Sequence, residues 1–117
     1  MSIERWSVWQ ANLDPVVGSE QGKTRPVLVI SETALNDILP VVNVLPLTSR
    51  KHGRRVYPNE ALLPAGTAGL TADSLVLCYQ LRTLDKQRLS RPYGKMEDTT
   101  RQAEILTALC FQLSIVR

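Results

Sequence analysis

The sequence predicts an α+β fold that is mainly β: a small twisted antiparallel sheet, barrel-like, with one helix packed on it at the C-terminus. Three observations predict it. Short runs rich in β-branched and aromatic residues recur along the chain, each bounded by Pro, Gly, Asp or Ser. Only the tail carries apolar residues at helical spacing over several turns. The chain has 117 residues, enough for a single domain over 1–117 and too few for two.

Residues 6–13, Trp-Ser-Val-Trp-Gln-Ala-Asn-Leu, read as the first strand, broken by Asp14-Pro15. The polar loop at 14–24 is long for a small domain, and such loops are often functional. Val27–Ile30 reads as a buried central strand, with Pro26 at its first position because proline cannot donate to a ladder. Ser31 is placed to cap a helical turn over 32–36, which Pro40 ends. Val41–Leu45 is a third strand, closed by Pro46-Leu47-Thr48-Ser49. Arg50-Lys51-His52-Gly53-Arg54-Arg55 is a basic loop, and Val56-Tyr57-Pro58 reads as a short edge strand. Residues 64–69 form a turn region, Ser74–Leu81 a strong strand, 84–89 one helical turn, and 93–96 a last short strand. In the tail, Thr99 and Gln102 have capping-box spacing, and Leu106, Leu109, Cys110 and Leu113 form one apolar stripe.

Composition excludes several classes. No apolar run approaches the ~18 residues that a membrane span needs. The segment Met1–Trp6 lacks a basic stretch followed by an apolar one, so a cytoplasmic protein with no membrane partner is expected. Cys78 and Cys110 each lie inside an apolar run and read as reduced core thiols. Neither G-x-G-x-x-G nor G-x-x-x-x-G-K-[ST] occurs, so dinucleotide and NTP binding have no support. With His52 as the one histidine, no two-histidine acid–base pair and no multi-histidine metal site can form within a chain. Neither a cofactor nor a metal is expected. The net charge of +3 is compatible with a nucleic-acid partner without demanding one.

The densest chemical signal is Gly18-Ser19-Glu20-Gln21-Gly22-Lys23-Thr24-Arg25-Pro26, a glycine-bracketed loop emptying into an apolar strand. Pro26 biases Arg25 towards an extended backbone, and a guanidinium is a planar, permanently charged fork suited to phosphate oxygens. Taken singly, Arg25 also fits a surface arginine at a strand start, Glu20 a solvated loop carboxylate, Thr48-Ser49 a capped turn, and 50–55 a solvated tip. Taken together, two strand junctions carry phosphate-competent groups, and adjacent strands would bring those ends close.

The chain also resembles the MazF/PemK toxins of toxin–antitoxin pairs. Leu13-Asp14-Pro15, Gly18–Gly22, Thr24–Ser31, Asn36, Pro46-Leu47-Thr48-Ser49-Arg50 and Gln80-Leu81-Arg82-Thr83-Leu84-Asp85 carry the likeness. The resemblance implies an SH3-like barrel of the CcdB/MazF kind and a homodimer. It implies sequence-specific, metal-independent cleavage of single-stranded mRNA, neutralised by a cognate antitoxin through which any DNA contact is indirect. It places the catalytic arginine at Arg25, the catalytic threonine at Thr48, the loop acid at Glu20 and a characteristic glutamine at Gln80. Two departures stand out. Family members often begin Arg-Gly-Asp or Arg-Gly-Glu where this chain has Arg5-Trp6-Ser7, and some carry an acid at the position of Tyr79 and an arginine at that of Leu77.

In such a reaction the RNA 2′-OH attacks the adjacent phosphorus. Arg25 suits the developing charge, Thr48 can donate to a non-bridging oxygen, and Glu20 is the candidate base, a role that favours a desolvated carboxylate. Ser19, Lys23, Ser49, Arg50, Lys51, Arg54 and Gln80 are the candidate RNA contacts. Trp9, Tyr57 and Tyr79 are stacking candidates by type alone. Two other readings stay open: a non-catalytic toxin of the same fold that binds a protein target such as a topoisomerase, and a plain nucleic-acid-binding module.

Overall fold

The computed structural model describes residues 2–116. Seven strands and two helices follow in the order β1 (Ser7–Asn12), β2 (Thr24–Val29), α1 (Thr33–Ile38), β3 (Val41–Ser49), β4 (Glu60–Leu63), β5 (Ser74–Leu77), β6 (Arg82–Asp85), β7 (Leu89–Lys95) and α2 (Thr99–Leu113). All pairings are antiparallel, in the order β4-β5-β3-β2-β1-β7, with β6 also on β3.

The nine-residue β3 organises the sheet. Its first half pairs with β6, its middle with β2 and its last three residues with β5. Pro46 lies where β3 passes from β2 to β5, a point at which a strand interior tolerates a missing donor. The changes of partner curl the sheet, and both its faces are covered. On one face Val8, Leu28, Leu45, Leu47 and Val76 pack beneath Ile105 and Ala108 of α2. On the other, Trp9, Ala11, Leu13, Val27, Val29, Val42, Val44 and Leu84 form a second apolar cluster. Two buried faces explain why Val27–Ile30 reads as a continuous apolar run rather than as an alternating one.

The expected mainly-β sheet with a C-terminal helix is present, and the differences are local. No strand forms at 56–58; the edge strand is β4, starting at Glu60, because the Glu60 backbone N–H and carboxylate both engage Tyr57 and hold 57–60 as a turn. The expected strand at 74–81 ends at Leu77. A 3-10 turn over Cys78–Gln80 follows, and β6 then pairs with β3. An apolar run carries no mark of such a break. The helical turn expected at 84–89 shrinks to Lys86–Arg88, and the last strand lengthens to Leu89–Lys95. Ser31 does not cap α1; its hydroxyl bonds Asn36 Oδ1 at 2.6 Å and accepts the Asn43 N–H.

Helix α2 is capped by Asp98, whose carboxylate accepts from the Thr100 and Arg101 amides, and not by Thr99. The Gln102 side chain reaches back to the Met96 carbonyl instead of completing a capping box. The buried stripe is Ile105 and Ala108, with Leu106 and Leu109 at its margin, while Leu113 remains 45% exposed. No helix among the described residues is long and apolar enough to cross a membrane. Both cysteines are free; burial, then the Glu60 charge, pushes the Cys78 thiol up to about 12.

Candidate active site

The loop between β1 and β2 is held by side chains from distant elements. The Asp14 carboxylate accepts the Lys23 amide at 2.8 Å, and the Leu13 amide meets the Lys23 carbonyl, which closes the loop at its base. Lys23 takes a left-handed φ of 65° there. From the turn before β6, the Gln80 amide spans the loop: Oε1 accepts the Gln21 N–H at 3.3 Å and Nε2 donates to the Ser19 carbonyl at 3.1 Å. Arg82 donates to the Leu13 carbonyl, and Arg88 to those of Asn12 and Asp14.

At the loop's exit, Arg25 is half-buried, and its Nε donates to the Gly22 carbonyl at 2.9 Å. Among the described residues no partner takes the Arg25 terminal nitrogens or the Thr48 hydroxyl. The β2–β3 register runs Val29↔Val44, Leu28↔Leu45, Val27↔Pro46. The paired register stops there, two positions short of Arg25 and of Thr48, where β3 turns to β5; both residues belong to the same end of the antiparallel sheet. Thr48 is meanwhile paired with Leu75 of β5, so its backbone is fixed by the sheet.

Glu20 lies elsewhere on the loop. It is exposed, and its Oε1 accepts the Val17 amide at 2.7 Å. With Val17, Ser19, Tyr79, Gln80, Leu81 and Arg82 it lines a cavity of about 450 Å³. Ser19, Glu20 and Gln80 are thus brought together, while Arg25 near the start of β2 and Thr48 near the end of β3 share one end of the sheet. Ser49, the end of β3, points the other way and lines a smaller cavity of about 250 Å³ with Pro26, Thr71, Arg91 and Tyr93. Trp9 is buried in the second core cluster and donates its indole N–H to Ser7, so it offers no stacking face, whereas Tyr57 and Tyr79 are exposed.

The basic loop after β3 is ordered. The Arg50 amide donates to the Asp73 carbonyl, and its Nε to the Arg54 carbonyl at 2.9 Å. Lys51 and Arg55 are exposed. Arg54 is placed differently from the expectation of a free cation: it makes a two-pronged ion pair with Glu60, 2.9 Å on each prong. Burial pushes the Glu60 carboxyl up, but Arg54 and the Tyr57 amide outweigh it and hold it below the usual carboxylate range. The Glu60 hydrogen bond in turn raises Arg54.

Sequence reading passed over Asp14, Glu60, Arg82 and Arg88. Asp14 reads as a breaker beside Pro15 and, like Arg82, falls within a stretch that carries the family likeness, but neither is marked there as a contact residue. Arg82 and Arg88 carried a signal in being charged residues flanking short strands, but their backbone targets lie 69 and 74 or more positions away.

The model of PemK-like, MazF-like toxins of type II toxin–antitoxin systems matches residues 4–113. Endoribonuclease EndoA of Bacillus subtilis is 39% identical over 98 residues, covering 84% of each chain. The crystal structure of MazF from Deinococcus radiodurans superposes with a TM-score of 0.82 at 30% identity, covering 98% of this chain and 99% of that one. A MazE–MazF structure from the same organism gives 0.76 at 30% identity, with 99% of each chain covered.

Proposed function

This chain belongs to the PemK-like, MazF-like toxin family, and from that premise we propose that it is an endoribonuclease toxin that cuts single-stranded mRNA at Arg25 and Thr48. The observation that supports the assignment is that the start of β2 and the end of β3, which carry a half-buried guanidinium and a threonine hydroxyl, lie at the same end of the antiparallel sheet.

The chemistry follows from those groups. The 2′-oxygen of the RNA forms a bond to phosphorus as the P–O5′ bond breaks and O5′ takes a proton from water, leaving a 2′,3′-cyclic phosphate and a 5′-OH. The Arg25 terminal nitrogens face the charge that accumulates on the non-bridging oxygens, and the Thr48 hydroxyl donates one further hydrogen bond. A guanidinium holds its protons too firmly to be a ready general acid, so Arg25 acts as a fixed charge. Glu20 takes the 2′-proton once RNA covers the cavity that it lines and displaces water from the carboxylate. Ser19, Lys23, Arg50, Lys51 and Gln80 border the RNA path, and Ser49, turned to the other face, does not. Contacts to phosphates position the strand, and base edges specify the cut.

We propose further that the toxin acts as a homodimer and is neutralised by an antitoxin. The family is one of toxin–antitoxin systems, and the related Deinococcus radiodurans structure pairs MazF with MazE. The end of α2 leaves Phe111, Leu113 and Ile115 exposed, an apolar patch of the kind that a second copy covers. The deciding experiment is incubation of the purified protein with long single-stranded RNA in EDTA. Cleavage leaving cyclic phosphate ends, abolished by a single deoxyribose 5′ of the cut, supports the reading. Cutting that continues at the deoxyribose excludes 2′-OH attack.

A further inference from the structure

Four cations crowd the loop from Arg50 to Arg55, and phosphate contact is the simplest use for all of them. The structure withdraws one. Glu60, the first residue of β4, has a side chain only 1% exposed, yet it is ionised beside an acceptor-poor core. A buried carboxylate is tolerated only when its oxygens are satisfied. Here three donors reach it: both terminal nitrogens of Arg54 and the Tyr57 amide.

Three of the five Arg54 N–H donors are engaged within the protein, and its charge is already matched by Glu60. Its Nη1 also donates to the Arg55 carbonyl, its amide to the Lys51 carbonyl, and its own carbonyl accepts Arg50 Nε. The guanidiniums of Arg54 and Arg55 lie 5.9 and 5.3 Å from the Tyr57 ring centre, so they orient an exposed aromatic face as well. An approaching phosphate therefore meets a neutral pair at Arg54, flanked by cations whose backbone that pair has fixed. The loop leaves β3 two residues beyond Thr48.

We propose that Arg54 is a positioning residue and not an RNA ligand: locked to Glu60, it holds the 50–57 loop so that Arg50, Lys51 and Arg55 are presented to the strand running past Thr48. The inference rests on the endoribonuclease reading and adds to it a residue that governs binding from outside the contact surface.

The two roles predict opposite signs. If Arg54 were a phosphate ligand restrained by Glu60, Glu60→Gln would release it and tighten RNA binding. If Arg54 positions the loop, Glu60→Gln weakens binding. Arg54→Lys loses the two-pronged bond to carboxylate and phosphate alike, so KM rises under either role and trypsin nicking separates them: faster if Arg54 holds the loop, unchanged if it is a ligand. The measurements are KM and kcat on long single-stranded RNA, affinity for a fully 2′-O-methylated random RNA, and trypsin nicking within 50–55. Positioning predicts a KM increase of about fivefold or more in both variants, with kcat within about twofold, weaker binding of the methylated RNA and faster nicking. Tighter binding by Glu60→Gln, or an unchanged KM in Arg54→Lys, overturns the proposal. If Glu60→Gln fails to fold, the nicking of Arg54→Lys decides: an unchanged rate overturns the proposal. A wild-type protein that neither binds nor cuts RNA removes the functional reading itself, a result distinct from a failure of the variants to shift KM.

Discussion

Gln80 and Ser19 lie 61 positions apart in the chain, yet the Gln80 amide donates to the Ser19 carbonyl at 3.1 Å. Its oxygen accepts the Gln21 amide at the same time, so one side chain holds both sides of Glu20. The loop that carries the candidate base is thereby referenced to β6 and, through β6, to β3 and Thr48.

Gln80→Ala is expected to lower kcat/KM by up to about thirtyfold. Two neutral hydrogen bonds contribute about 1 kcal/mol each, and about 1.4 kcal/mol corresponds to tenfold in rate. Thermal stability should fall only slightly, because the loop is exposed. Activity kept within twofold would mean that the loop is ordered by the Asp14 and Arg88 contacts alone.

Arg25→Ala and Thr48→Ala are each expected to reduce cleavage by about 10²-fold or more, the usual effect of removing a donor aimed at developing charge. Both sites stand at strand ends, so circular dichroism should be unchanged. Cleavage by Arg25→Ala at near the normal rate would remove the central assignment.

Trp6 tests how the chain tolerates its departure from Arg-Gly-Asp. Trp6 adopts a φ of 73°, a left-handed value that favours glycine. Trp6→Gly would relieve strain of about 1–2 kcal/mol. It would also empty a site where the side chain is buried in the main core, at about 3–5 kcal/mol. The cavity outweighs the strain, so the variant should be less stable by about 2 kcal/mol in denaturant unfolding. A more stable variant would show that strain dominates.

The Arg54–Glu60 pair sets a pH dependence. The Glu60 carboxyl is held below its ordinary 4.5 in the folded state, so its contribution is present above pH 4.5 and is lost as pH falls through the folded value. Glu60→Gln should cost about 2 kcal/mol near neutrality, at the low end for a buried pair because Arg54 can reach water. Thermal melts of both proteins should converge as the pH drops below 4.5. A gap that stays constant with pH would mean that packing, and not charge, is what the substitution removes.

Thiol labelling checks the core. Cys78 is buried with its thiol pushed up to about 12, so the native protein should resist alkylation there near neutral pH. Cys110, half-buried on α2, should react first, and mass spectrometry should find a single added label. Rapid labelling at both would show that the α2 face opens readily.

The sequence by itself determined a mainly-β sheet ended by one helix, because strand and helix periods are written into local apolar spacing. It determined the chemical vocabulary of the loop as well: a fixed arginine after two glycines, a threonine at a strand end and a run of cations. Tertiary structure alone decided how that vocabulary is used. Gln80 and Ser19 meet only because β6 returns to β3, and Arg25 and Thr48 share one end of the sheet only because β2 and β3 run antiparallel. Arg54 ceases to be a free cation because the turn at Tyr57 carries Glu60 back beneath it. Charge type is a property of a residue, but charge that is free to meet RNA is a property of what folds against it.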